Sequence, residues 1–220
     1  MKKTVIIVAG GKGLRMGADM PKQYLMLGGK PILMRTVQRF YLFDSSADII
    51  LVLPAGHYDY WKELCDKYSF DIPHRVVSGG ATRFHSVKNG LAAAADEGLI
   101  AVHDGVRPFV SAELLERCFA VAEAKGSAIP AIPLSDSIRI IDGEHGSKAA
   151  DRSRFRLVQT PQVFDAALLK HAYECGYSES FTDDASVVEA AGASISLAEG
   201  DVRNIKITTP FDLKVAEAML

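Results

Sequence analysis

Five short runs of apolar, largely β-branched residues, at 4–9, 48–53, 75–78, 99–103 and 128–134, recur along the chain with helix-like stretches between them. A strand with successive apolar side chains has to be covered on both faces, and a long connection between such strands lets them lie parallel. The pattern therefore predicts an α/β fold, a mostly parallel sheet with helices on both faces. Pro31 can occupy the first turn of a helix running to Phe43. Thr82 can cap another that aligns Phe84, Val87, Leu91 and Ala94 on one side. Ser111 starts a third, ending near Gly126. Thr209 followed by Pro210, with Asp212 at the third helical position, starts a last one whose apolar side is Leu213, Ala216 and Leu220.

Residues 135–160 break this rhythm. Ile138 and Ile140 alternate with Arg139, Asp142 and Gly143 make a turn, and charge accumulates beyond it. The segment reads as a projecting β-arm, and because an isolated two-stranded arm is marginal in water, it is expected to pair two copies of the chain as a homodimer. With no internal repeat and no low-complexity linker, residues 1–220 are expected to form one domain.

The charge distribution narrows the partners. Twenty-five Lys and Arg against 27 Asp and Glu leave a net charge of −2, so there is no global basic field to hold a nucleic acid. Yet residues 1–43 contain eight Lys or Arg against Asp19 alone, so an anion is expected at that end. The three cysteines, Cys65, Cys118 and Cys175, form neither a disulfide framework nor a zinc motif and suit a reducing cytoplasm. The apolar run at 5–9 is too short for a signal-peptide core, and nothing in the sequence is apolar for long enough to span a bilayer, so no membrane role is expected.

The glycine loop after the first run, Ala9 to Gly17, is followed closely by Lys22. Its glycines let backbone N–H groups approach a phosphate, and Lys12, Arg15 and Lys22 add positive charge around it. It lacks the P-loop pattern, and its glycine spacing and missing ribose acid weaken a nicotinamide-dependent reductase. Asp104, one residue past the fourth run, is placed to coordinate Mg²⁺, with Arg107 to hold an anion; His103 reads as a packed structural residue. Backbone around Gly80 and Ala81, with the Ser86 hydroxyl, can read the edge of a base, or the stretch can be a plain loop and cap. Arg152, Thr182 and Lys206 are further anion-binding groups, whereas Asp183 and Asp184 read as helix-start residues. Neither a nucleophile elbow nor a zinc-hydrolase motif is present, which leaves phosphate chemistry.

The ordered set of the glycine loop, PKQY, GGATRFHSV, HDGVRP, TPQ, FTDDAS and NIKITTP spans essentially the whole chain and resembles the 2-C-methyl-D-erythritol 4-phosphate cytidylyltransferases of the non-mevalonate isoprenoid pathway. A sister group, the ribitol 5-phosphate cytidylyltransferases, shares most of these motifs. The resemblance implies a Rossmann-like nucleotidyltransferase fold, a dimer interlocked by β-arms, and Mg²⁺-dependent transfer of CMP from CTP to a sugar-alcohol phosphate. Gly11, Gly13, Arg15 and Lys22 match its triphosphate residues, Ala9 and Gly10 its cytosine wall, and Gly80, Ala81 and Ser86 its base and ribose contacts. Asp104 matches its metal ligand. Arg107, Arg152, Thr182 and Lys206 match positions around the sugar phosphate, with Arg152 and Thr182 expected from the partner subunit; Arg15, Lys22 and Lys206 are the expected catalytic cations. The chain departs from the family pattern at Gly105, at Phe84 and His85, and at Phe211.

Overall fold

The computed structural model describes residues 1–11, 20–143 and 146–220. The chain passes through β1 (Lys3–Val8), β2 (Met26–Leu27), β3 (Lys30–Pro31), α1 (Ile32–Phe43), β4 (Asp48–Leu53), α2 (Tyr58–Lys67) and β5 (Arg75–Ser78). Then come α3 (Arg83–Ala93), β6 (Leu99–Asp104), α4 (Ala112–Lys125), β7 (Ser127–Pro133), β8 (Ile138–Ile141) and β9 (Ser147–Ala150). It ends with β10 (Arg156–Val158), β11 (Gln162–Asp165), α5 (Ala166–Ala172), α6 (Asp184–Ala190), β12 (Leu197–Glu199) and α7 (Pro210–Ala218).

The main sheet runs in the order β10, β7, β11, β6, β1, β4, β5, and β12 also pairs with β7, in parallel. β5, β4, β1 and β6 pair in parallel, as the apolar runs predict. The period of two in β1 then divides the core. Val5 and Ile7 pack with Leu33, Val37 and Phe40 of α1 and with α4, while Ile6 packs on the opposite face with Val87, Leu91, Leu169 and Val187 of α3, α5 and α6.

Four-residue β11 has no signal in the sequence, and it runs antiparallel between β6 and β7. The sheet is mixed, though mostly parallel. Caps fall where the sequence puts them: Thr82 and Ser111 accept from His85 and Leu114 N–H groups, Gly126 ends α4 at a left-handed φ of 81°, and Thr209 forms a capping box with Asp212. Leu220 departs from expectation. α7 stops at Ala218, and Leu220 lies in the exposed end beyond it rather than on the helix's apolar side.

β8 and β9 form their own two-stranded antiparallel sheet, separate from the main one, with Ile140 and Ile141 exposed. The amide of Asp142 donates to the carbonyl of Gly146 at the turn. Phe155, Leu157 and Val158 at the arm's root are also exposed.

Candidate active site

In an open α/β sheet a ligand site forms beyond the carboxyl ends of the strands, and here that place is a cavity of about 910 Å³. The register aligns Val8, the last residue of β1, with Asp104, the last of β6. The glycine loop and Asp104 therefore leave the sheet side by side. Ala9, Gly10, Gly11, Lys22, Gly80, Ala81, Ser86, Asp104 and Lys206 all line the cavity, together with Arg83. Gly13 and Arg15 lie outside the described residues.

Buried Gln23 donates from Nε2 to the carbonyl of Ala9 at 2.7 Å, which ties the end of the glycine loop to the segment carrying Lys22. The Lys22 stem runs beside Gly11, its Cε 3.7 Å from where a Cβ there would stand. On the facing wall the Ser86 hydroxyl accepts from the Gly80 amide at 3.1 Å and donates to the Thr82 carbonyl at 3.0 Å. A Cβ at Gly80 would sit 2.4 Å from the Cβ of His85, so only glycine lets the backbone lie this close to α3. Phe84 turns away from the cavity and stacks on Tyr173 and Phe181 at centroid distances of 4.8 and 5.8 Å.

Asp104 is ringed by cations. Its Oδ2 accepts from Lys206 Nζ at 3.0 Å and from Arg107 Nε at 3.3 Å, while Arg83 Nε stands 4.0 Å from Oδ1. Burial works to raise the Asp104 carboxyl, but the charges of Lys206, Arg83 and Arg107 outweigh it and hold the group well below the usual carboxylate range. Among the described residues no cluster of three or more His, Cys, Asp or Glu could cage a metal. A lone carboxylate at the mouth of a phosphate-sized cavity still fits Mg²⁺, which takes one or two protein carboxylates and fills its shell with substrate phosphates and water.

Asn204 and Thr160 hold this arrangement in place. Fully buried Asn204 donates from Nδ2 to the Thr160 carbonyl at 2.8 Å and accepts on its own carbonyl from Arg107 Nη1 at 2.7 Å. With the Ile207 amide donating to the Val106 carbonyl, these bonds fix the irregular segment that presents Lys206. The Thr160 hydroxyl accepts from the Asp104 amide at 3.1 Å and lies 3.1 Å from His103 Nδ1; His103 Nε2 lies 3.1 Å from the Arg107 carbonyl. A neutral ring protonated on Nε2 satisfies every partner, and burial pulls the imidazole down to about 4. His103 is the packed structural residue the sequence suggests.

Two residues do something other than their sequence reading implies. Arg107, read as an anion holder, lies behind Asp104, 9% exposed and outside the cavity wall, its guanidinium given to Asp104 and the Asn204 carbonyl. Asp183 is the cap of α6, as expected, but Asp184 does more than start a helix. Its fully buried carboxylate accepts both terminal nitrogens of Arg83, at 2.9 and 2.6 Å, and the Tyr173 hydroxyl at 2.7 Å. Arg152, in a short turn at the root of the arm with its guanidinium on the Ser135 carbonyl, and exposed Thr182 both lie outside the described cavity wall of their own chain.

Arg83 and Asn204 carry no role in the sequence reading. Arg83 did leave a signal: a cation at the first position of a helix opposes the helix dipole, so it needs an anionic partner from elsewhere.

Residues 3–220 match the family model for 2-C-methyl-D-erythritol 4-phosphate cytidylyltransferase, IspD. The enzyme of that name from Phocaeicola vulgatus is 56% identical over 220 residues, covering 100% of both chains. Its namesake from Geobacillus kaustophilus is 40% identical, covering 100% of this chain and 97% of that one. Among solved structures, the 4-diphosphocytidyl-2C-methyl-D-erythritol synthase of Anaerococcus prevotii superposes with a TM-score of 0.84 at 32% identity, covering 99% of this chain and 95% of its own. The 2-C-methyl-D-erythritol 4-phosphate cytidylyltransferase of Thermus thermophilus gives 0.80 at 36%, covering 100% and 98%. These likenesses favour neither ribitol phosphate nor nicotinamide chemistry. With an α/β nucleotidyltransferase fold and a match over nearly its whole length, the chain belongs to the 2-C-methyl-D-erythritol 4-phosphate cytidylyltransferase family.

Proposed function

We propose that this protein transfers CMP from CTP to 2-C-methyl-D-erythritol 4-phosphate, releasing pyrophosphate and 4-diphosphocytidyl-2-C-methyl-D-erythritol. The observation that carries the reading is the convergence of Lys22, Lys206 and Asp104 on one cavity beyond β1 and β6. An oxygen of the substrate phosphate forms a bond to the α-phosphorus in line with the bridging oxygen that leaves on pyrophosphate. Both reactants are anions, so their repulsion is the main obstacle. Lys22 and Lys206 offset it by flanking the α-phosphate, with Arg15 steadying the departing pyrophosphate. The phosphate monoester is already ionised at neutral pH, so no general base is required. Asp104 would hold a Mg²⁺ ion, whose charge would offset that of the triphosphate.

Gly11 and Gly13 cradle the triphosphate in this reading, Ala9 and Gly10 flank the cytosine, and Gly80, Ala81 and Ser86 meet base and ribose. Arg107 sets Asp104 in place on the sugar-phosphate side. The 135–160 arm pairs two copies of the one-domain chain, 1–220, into a homodimer and brings Arg152, with Thr182 from the adjoining loop, to the partner's sugar-phosphate site. Its exposed isoleucines support that pairing. We place the enzyme in the cytoplasm, where its three free cysteines stay reduced, and give it no nucleic-acid or membrane partner. Among the described residues no helix is long and apolar enough to cross a membrane. The test is pyrophosphate release from CTP and Mg²⁺ with a panel of polyol phosphates. Release with 2-C-methyl-D-erythritol 4-phosphate well above ribitol 5-phosphate is expected; the reverse preference overturns the substrate.

A further inference from the structure

Arg83 lies between two carboxylates and is bound to only one of them. Its terminal nitrogens are both given to Asp184, in a two-point clamp whose Oδ1 also accepts from the Tyr173 hydroxyl. Its Nε stops 4.0 Å from Asp104 Oδ1, beyond hydrogen-bond reach. The other Asp104 oxygen, Oδ2, is taken by Lys206 and Arg107. Among the described residues Oδ1 accepts no hydrogen bond, so it is the oxygen that an incoming cation can use.

We propose that Asp184 is a positioning residue that holds Arg83 off Asp104 Oδ1 and so keeps that oxygen open to a divalent cation bound together with CTP. The inference rests on the reading of Asp104 as the cation ligand. The physical argument is one of competition. A guanidinium released from Asp184 has Asp104 as the nearest remaining anion, and closing the gap by about 1 Å makes a charge-assisted hydrogen bond on Oδ1. A cation and a guanidinium cannot both occupy that lone-pair direction. Asp184 is fully buried, and its burial among Arg83, Tyr173 and the start of α6 leaves it nothing to do with solvent. The same placement ties the wall of the cavity to the 182–184 segment, 101 residues from Arg83 in sequence.

The experiment measures CTP affinity by calorimetry with Mn²⁺ and again with chelator, and takes the ratio as the metal-dependent gain. In Asp184→Asn the gain should shrink by roughly tenfold, within the usual range of coupling between sites, while metal-free affinity stays close to wild type. Tyr173→Phe, which keeps both charges, should shrink it less. The decisive variant is Arg83→Gln with Asp184→Asn, which removes the competitor, leaves no unpaired buried charge, and should restore the gain. A wild-type ratio in both Asp184→Asn and Tyr173→Phe, or a double variant as weak as Asp184→Asn, overturns the proposal; if Asp184→Asn does not fold, the double variant and Tyr173→Phe decide it. Asp104→Asn separates the two readings: a gain that survives it overturns Asp104 as the cation ligand and the inference with it, whereas a gain lost in Asp104→Asn but kept in the Asp184 and Tyr173 variants removes only the role of Asp184.

Discussion

Lys22 lines the cavity from a three-residue turn whose other two members, Gln23 and Tyr24, are buried. Lys22→Ala is expected to lower kcat by about 3 kcal/mol of barrier, as for a lost transition-state donor, while the melting midpoint barely moves. Steady-state kinetics beside thermal denaturation tell the two apart, and a near-normal kcat would remove Lys22 from the reaction. Gly105 makes the opposite kind of prediction. A Cβ there would stand 2.9 Å from both Ala9 Cβ and Leu33 Cδ1 and 3.3 Å from the Val8 carbonyl. A fully buried leucine, Leu33, fills the space that a methyl group there would need. Gly105→Ala should cost roughly 1–3 kcal/mol of stability, the usual range for overpacking, read from denaturant midpoints. An unchanged midpoint would mean that Leu33 moves aside freely.

Between elements, the joint that matters is β6 against β11, where Thr160 links the Asp104 amide to His103. The His103 ring sits edge-on to Phe40 at 4.9 Å and is held neutral, its pKa pulled by burial from 6.5 to about 4. Between those values the unfolded chain binds a proton that the folded chain does not. Folding stability therefore falls as pH drops from 6.5 toward 4, by up to about 3 kcal/mol. His103→Gln cannot charge, so its stability measured at pH 7 and pH 5 should lack this slope; a wild-type slope in the variant would locate the effect elsewhere. The parallel strands and capped helices are legible in the sequence because β-branched runs, Thr82, Ser111 and Thr209 are local signals. β11 and α5 are not, and of α6 only the start at Asp183 is, since four or seven residues are too few for a periodic pattern to declare itself. Asp184 looks like a capping residue for a similar reason: its partner Arg83 is remote in sequence, and burial of a carboxylate is decided by that partner. Lys22 and Lys206, by contrast, are legible as anion-binding groups and Asp104 as a candidate cation ligand, and the fold brings all three to one cavity.

At the scale of the molecule, the hairpin of β8 and β9 stands apart from the main sheet with its isoleucines exposed, and Arg152 lies at its root. If Arg152 completes the neighbouring site, inactive Arg152→Ala chains mixed with inactive Lys22→Ala chains form hybrids with one intact site. Under two-fold symmetry random exchange makes about half of the dimers hybrid, so recovery near a quarter of wild-type activity is expected. No recovery after verified subunit exchange would place both residues in the site of one chain. The strand order carries a consequence for biosynthesis as well. β11 is wedged between β6 and β7, although the chain makes β6 and β7 first and the arm before β11. A nascent chain leaving the ribosome therefore holds one edge of β6 unpaired until residue 165 has emerged, and the carboxylate at its end has no threonine to bind its amide before then. The cavity wall that carries Asp104 is among the last parts of the protein to exist, and an open strand edge is the state that chaperones have to guard.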